Sequence, residues 1–300
     1  MTLRAIRVQP LLDRYLRRFD VQAHIPRDPL QFPRRYTDPP DIEVAGFIAA
    51  SLAFGRVQAF RPVVARLLAL LGPSPAETLK SLHAGTVEQR ERADDAVREA
   101  AAKRYRWLEE ADIEALLRAL GSVLDEHGSL EEAFAAGDDG GDDTWAALGS
   151  FLDDLRSRAT AVHPDPEARG RAIAFLFPST SGTAACKRQH LFLRWMVRQD
   201  DRGADLGIWS GIDPARLVMP CDTHTARIGH ALGLCSDAKP GRRSADELTA
   251  AMRLMSAEDP VQYDFAICHL GISGGCSARF VPTICDGCDL KRACRWWTSV

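Results

Sequence analysis

The chain has few aromatic residues, no excess of positive charge and no long apolar run. Phe, Trp and Tyr together make up 7% of its 300 residues. Strands favour aromatic and β-branched side chains, so this scarcity argues against an all-β protein. Lys and Arg number 38 against 41 Asp and Glu, for a formal charge of −3. That excludes a globally basic nucleic-acid binder but leaves room for a local basic face. No stretch of 18 apolar residues occurs, so no membrane-spanning helix is expected. The first residues, MTLRAIRVQPLLDRYL, hold no apolar signal core and no cleavage site, which predicts a cytoplasmic chain. Strand-like alternation and internal repeats are also missing.

What is present is helical. Hydrophobic residues make up 46% and charged residues 26%, the balance of a globular protein with a real core. Residues 41–54 are apolar and Ala-rich and suit a buried helix; 59–71 follow, stopped by Gly72 and Pro73. Residues 87–104 are a charged helical pattern with a solvated face. Ile113, Leu116, Leu117, Leu120 and Leu124 share one helical face. Ser129 is placed to cap a short helix, 145–156 read as another, and a long one is expected from 184 to 198. The fold class is therefore all-α. The acidic loop 137–143 lacks the ordered carboxylates of a Ca²⁺ loop.

Eight cysteines begin at Cys186, and half lie in the last 25 residues. Cys276, Cys285, Cys288 and Cys294 follow the pattern C-x8-C-x2-C-x5-C. A cytoplasmic chain rarely holds disulfides, so this tail reads as a metal or redox site. Four soft thiolates suit a [4Fe–4S] cluster, with tetrahedral Zn²⁺ as the alternative. Only one C-x2-C pair is present, where a zinc ribbon prefers two. Cys186, Cys221 and Cys235 read as small buried apolar residues, and Cys268 as an alternative to Cys276 among the ligands.

Residues 219–234 read MPCDTHTARIGHALGL, with Asp222 as helix cap and Gly233 just past the helix end. Asp222, Thr223, His224, Arg227, Leu232, Gly233 and Leu234, followed by the four-cysteine tail, resemble the helix-hairpin-helix DNA glycosylase superfamily. The likeness is to its endonuclease III-like, iron–sulfur branch. Residues Cys186–Asp200, CKRQHLFLRWMVRQD, resemble a bacterial branch of the same superfamily. The resemblance implies a two-lobed helical fold, with a helical barrel over 39–218 and an iron–sulfur domain formed by 1–38 and 219–300. It implies a base-excision glycosylase acting on double-stranded DNA that contains a damaged base, with no membrane and no protein partner. Asp222 then stabilises the positive charge that builds on the sugar as the glycosidic bond breaks. In lyase members a lysine attacks C1′ and forms a Schiff base.

The chain departs from that pattern in one place. The family's L-P-G-x-G hairpin, whose amides hold a DNA phosphate, is absent, and its lysine position falls on Ala204. The nearest upstream lysine is Lys187, 35 residues before Asp222. It resembles the lysine of an archaeal 8-oxoguanine glycosylase branch that has a longer interval, and is otherwise a surface lysine. At a helix start the macrodipole disfavours a cation, which suits a nucleophilic amine. The loop 203–211, with Gly203, Gly207 and Gly211, is the candidate replacement for the hairpin. Phe54, Arg56 and Gln58 are candidates to face the lesion, with His224 and Arg227 as further substrate contacts. Two other readings stand beside the glycosylase: a non-catalytic nucleic-acid module on the same fold, and a Zn-stabilised helical scaffold for protein partners.

Overall fold

The computed structural model describes residues 2–165 and 170–297. It is 63% helix, with no strand among the described residues. Fifteen α-helices appear there, several of one turn, where the sequence predicts roughly ten to twelve. None is long and apolar enough to cross a membrane, among the described residues. The chain forms two compact units: 27–141 with 145–181, and 1–26 with 142–144 and 182–300. These limits differ from the expected 39 and 218. The helix that bears Lys187 therefore groups with Asp222 in one unit instead of lying across a domain boundary from it.

The 27–181 unit is built around the helix Pro39–Leu52, whose residues 41–52 are all buried. An apolar helix without a polar face must sit at the centre of its neighbours. Two carboxylates on it are buried yet satisfied. Asp41 Oδ1 accepts from the Ala76 amide at 2.8 Å, and Glu43 accepts from the amides of Leu130 (2.7 Å) and Glu131 (3.1 Å). Each thus accepts from orphan amide donors at the start of a neighbouring helix, where a negative charge is favoured. The helices Val87–Ala101 and Glu110–His127 open on capping boxes at Thr86 and Glu109, and Ser129 caps Leu130–Ala135 as predicted.

In the other unit the helices Lys187–Val197 and Asp264–Ile272 are joined through a buried ionic network. The Arg194 guanidinium donates from Nε to Asp205 Oδ1 at 2.8 Å and from Nη1 to Asp264 Oδ2. Arg198 donates to Asp205 at 2.7 Å, Asp200 at 2.8 Å and Asp259 at 2.8 Å. Buried charges persist only when paired and hydrogen-bonded, and here two forks share four carboxylates. Burial alone would raise the Asp200 carboxyl; the Arg198 side chain and the Arg202 amide bring it down to about 2.

The N-terminal helix Thr2–Arg18 lies against the C-terminal tail. Arg4 Nε donates to the Leu232 carbonyl at 2.9 Å and Nη2 to that of Ala293, while Arg18 pairs with Asp289 at 3.1 Å.

Two outcomes test this network. Arg194→Met strands Asp264 and leaves Asp205 with Arg198 alone, and is expected to cost about 3–5 kcal/mol in urea unfolding. Asp200 has a folded pKa below its unfolded value. Its share of stability, about 2 kcal/mol, is present above pH ~4 and lost as pH falls toward 2. Asp200→Asn should flatten that part of the stability–pH curve.

Candidate functional site

The site begins at a helix cap. Asp222 has extended backbone angles and precedes the helix Thr223–Leu232, which ends at Gly233 with φ 72°. Its Oδ1 accepts from the amides of His224 (2.8 Å) and Thr225 (2.9 Å). Two orphan donors are satisfied by one oxygen, so the carboxylate cannot rotate freely. Oδ2 is left facing away from the helix. Toward it come the Lys187 ammonium at 4.0 Å and the Cys268 thiol at 3.5 Å. Burial opposes the charge on Asp222, but Lys187, the Thr225 amide, His224 and Cys268 together hold its carboxyl below the usual range.

Lys187 is the first residue of its helix, which runs Lys187–Val197 and starts three residues later than predicted. Cys186 before it takes a left-handed conformation, φ 44°, and the chain enters the helix through that bend. The lysine is partly buried, its side chain 27% exposed, against 21% for Asp222. The two residues singled out as nucleophile and carboxylate are thus brought together from 35 positions apart.

The helix Asp264–Ile272 was not foreseen, and it supplies two further groups. Cys268 stands beside Asp222 and does not line the cavity of the tail cysteines, so it is not the alternative ligand the sequence allowed. Asp264, fully buried, gives Oδ2 to Arg194 while Oδ1 has no hydrogen-bond partner among the described residues. Burial raises its carboxyl; the nearby charges of Lys187 and Arg194 lower it and that of Asp222 raises it. Gly271 lets this helix approach closely: a Cβ there would fall 2.6 Å from the His224 Cβ and 2.7 Å from its Nδ1.

The remaining candidates divide. His224 and Arg227 ride on the capped helix, Arg227 exposed. Phe54, Arg56 and Gln58 belong to the other unit. Phe54 packs its ring against Tyr105 and Phe175, with centroids at 4.7 and 4.8 Å; Arg56 and Gln58 are exposed. The loop 203–211 does not present a phosphate cradle. Its Leu206 and Gly207 amides donate to the Trp195 carbonyl at 2.9 and 3.1 Å, and the Trp209 amide donates to Met196 at 2.8 Å. Those donors satisfy the C-terminal carbonyls of the Lys187 helix, so they are engaged within the fold.

Cys276, Cys285, Cys288 and Cys294 line one cavity with Arg279, Lys291, Trp296 and Trp297, and no carboxylate or imidazole among the described residues shares it. Backbone amides of Ala278 and Val281 point to the sulfurs of Cys276 and Cys285, each at 3.4 Å. Burial, then neighbouring thiols, push Cys276 and Cys288 up. As they stand, no three His, Cys, Asp or Glu side chains among the described residues are arranged to hold a metal ion. The donor set itself is that of a soft metal centre: four thiols, N–H donors aimed at sulfur, and two cations to offset thiolate charge. Cys186, Cys221 and Cys235 are buried, as expected.

The cap and the charge of Asp222 can be separated by substitution. Asp222→Asn keeps an oxygen for the amides and should change stability by a few tenths of a kcal/mol, whereas Asp222→Ala should lose about 1 kcal/mol in thermal or urea unfolding.

Comparison with known proteins gives one match. Residues 28–273 fit the model of a family described as proteins of unknown function, DUF2400, a span that includes Lys187, Asp222 and Cys268 and stops before Cys276. No curated protein and no solved structure matches the chain. The match covers most of the sequence, and the chain belongs to that DUF2400 family.

Proposed function

We propose that the chain is a base-excision DNA glycosylase with AP-lyase capability, acting on a damaged base in double-stranded DNA. The observation that supports this reading most is the placement of Lys187 Nζ 4.0 Å from the uncapped oxygen of Asp222. An amine beside a carboxylate fixed in orientation is what glycosidic cleavage with covalent capture requires. The Asp222 carboxylate stabilises the positive charge on the sugar as the base departs with the bonding electrons. Lys187 gives a proton to the departing base and its neutral amine bonds to C1′; a proton then passes from that nitrogen to O4′ as the C1′–O4′ bond breaks, and the resulting Schiff base permits loss of a C2′ proton with expulsion of the 3′ phosphate. The target base must leave the stack to be reached. His224 and Arg227, on the same helix as the cap, are the nearest candidates for DNA contact in this unit.

The four tail thiols are proposed to hold a [4Fe–4S] cluster. Bound there, it would supply a structural fastening for the basic loop that holds Arg279, Lys291, Arg292 and Arg295, and no chemical step is assigned to it. A location with bacterial DNA follows from the same reading.

A lesion-panel cleavage assay tests the proposal. Intact protein should release at least one damaged base, and Asp222→Asn should lower that rate by at least about 100-fold. Borohydride should trap a protein–DNA adduct that Lys187→Ala abolishes. DNA binding without cleavage in any arm, equal in Asp222→Asn, would leave the non-catalytic module as the correct reading. Anaerobically purified protein should absorb broadly in the visible and contain about four irons per chain. A colourless protein with one zinc would favour the Zn scaffold.

The pH profile gives an independent check. Because Asp222 is held below the usual carboxylate range with Lys187 beside it, the acid limb of base release should lie below about pH 4. Lys187→Met removes the neighbouring cation and should move that limb upward.

A further inference from the structure

The helix Val57–Leu71 turns one stripe to the surface: Gln58, Arg61, Pro62 and Ala65, spaced as neighbours on a single helical face. Opposite it run two short turns, Pro29–Gln31 and Pro33–Arg35, each opened by proline. Pro62 and Ala65 are too short to fill the gap, so an open groove of about 400 Å³ remains between the stripe and Gln31, Phe32 and Arg35. That volume falls within the range of small-ligand sites.

The groove is cationic and has no acidic residue in its lining. Neither Arg35 nor Arg61 has a carboxylate partner among the described residues. Arg35 lies with its guanidinium carbon 4.6 Å from the centroid of the buried Phe32 ring. Stacking restrains the plane of the fork and leaves its N–H donors available, so little freedom is lost on binding. Arg35 and Arg61 both line this one groove, and a planar guanidinium fork matches a phosphate. Gln58, exposed beside them, offers both a donor and an acceptor, the pair of functions that a heterocyclic base edge presents.

We propose that this groove binds a nucleotide-type phosphate ester, with the oxyanion held between Arg35 and Arg61 and the base edge met by Gln58. The site lies wholly within the 27–181 unit and does not depend on the chemistry assigned to Asp222 and Lys187. A free mononucleotide and one nucleotide of a strand share this chemistry.

The full chain is titrated with inorganic phosphate, adenosine monophosphate and a labelled ten-nucleotide single strand. Arg35→Gln/Arg61→Gln changes only exposed side chains and should leave the melting temperature unchanged. The double variant is expected to weaken binding at least about tenfold and to lose about 0.7 of the log–log salt slope with the strand, the share of one phosphate contact. The bound probe should also protect Arg35 and Arg61 from phenylglyoxal in the wild type, read by peptide mass. Weakening with both the mononucleotide and the strand supports the free ester as a sufficient ligand; weakening with the strand alone assigns the groove to nucleic acid. The proposal is overturned if no probe saturates the wild type by about 1 mM. It is equally overturned if the double variant binds every probe as the wild type does.

Discussion

Two arginines without access to water set the geometry of the Asp222 site. Arg194 in the last turn of the Lys187 helix and Arg198 just past its end between them engage Asp205, Asp264, Asp200 and Asp259. Asp200 and Asp205 fix the loop that follows the helix, and Asp264 begins the helix that bears Cys268. Replacing such a network with apolar side chains can leave a protein as stable or more so. What the ions add here is position, because a guanidinium fork accepts its carboxylates only along defined directions. The Lys187 helix with its following loop and the segment 259–264, distant in sequence, are thereby held in one arrangement.

The carboxylate at the centre has a divided role. One oxygen belongs to the backbone of its helix and the other to the side chains around it. A freely rotating carboxylate would spend time in orientations useless for stabilising a developing positive charge. The cap removes that freedom in the folded state, before any ligand arrives, which is the structural meaning of preorganisation. The cysteine tail stands apart in kind: its thiols are gathered on one cavity, and its basic residues surround them.

Much of the architecture was legible in sequence because it rests on local rules. Asp222 and Gly233 bracket their helix as cap chemistry requires, Ser129 caps its own, and the apolar 41–54 stretch is the buried centre of its unit. The nearness of Lys187 and Asp222 was not local; it came from a resemblance, and the geometry places the two side chains together. The helix Asp264–Ile272 escaped notice for a physical reason. It is buried on nearly every side, so it has no polar face and no periodic signal to read. In sequence Cys268 is therefore indistinguishable from a further metal ligand, and nothing local marks Asp264. The glycines of 203–211 were read as a phosphate loop because a sequence shows where amides are present but not where they are engaged. The Gly207 amide is engaged by the Trp195 carbonyl of the helix before it, and the Gly203 amide by the Asp200 carbonyl.

Gly271 gives the site a gauge. The distance between the capped helix and the helix of Cys268 is set by a missing methyl group, since any Cβ at 271 would meet the His224 ring. Polar groups that must stay within hydrogen-bond reach tolerate displacements of only a few tenths of an ångström. A side chain at this one position, touching neither Asp222 nor Lys187, would wedge the helices apart by more than that. The spacing of the site thus depends on an atom the chain does not possess, and selection for function would act on residue 271 as strictly as on the charged residues it spaces.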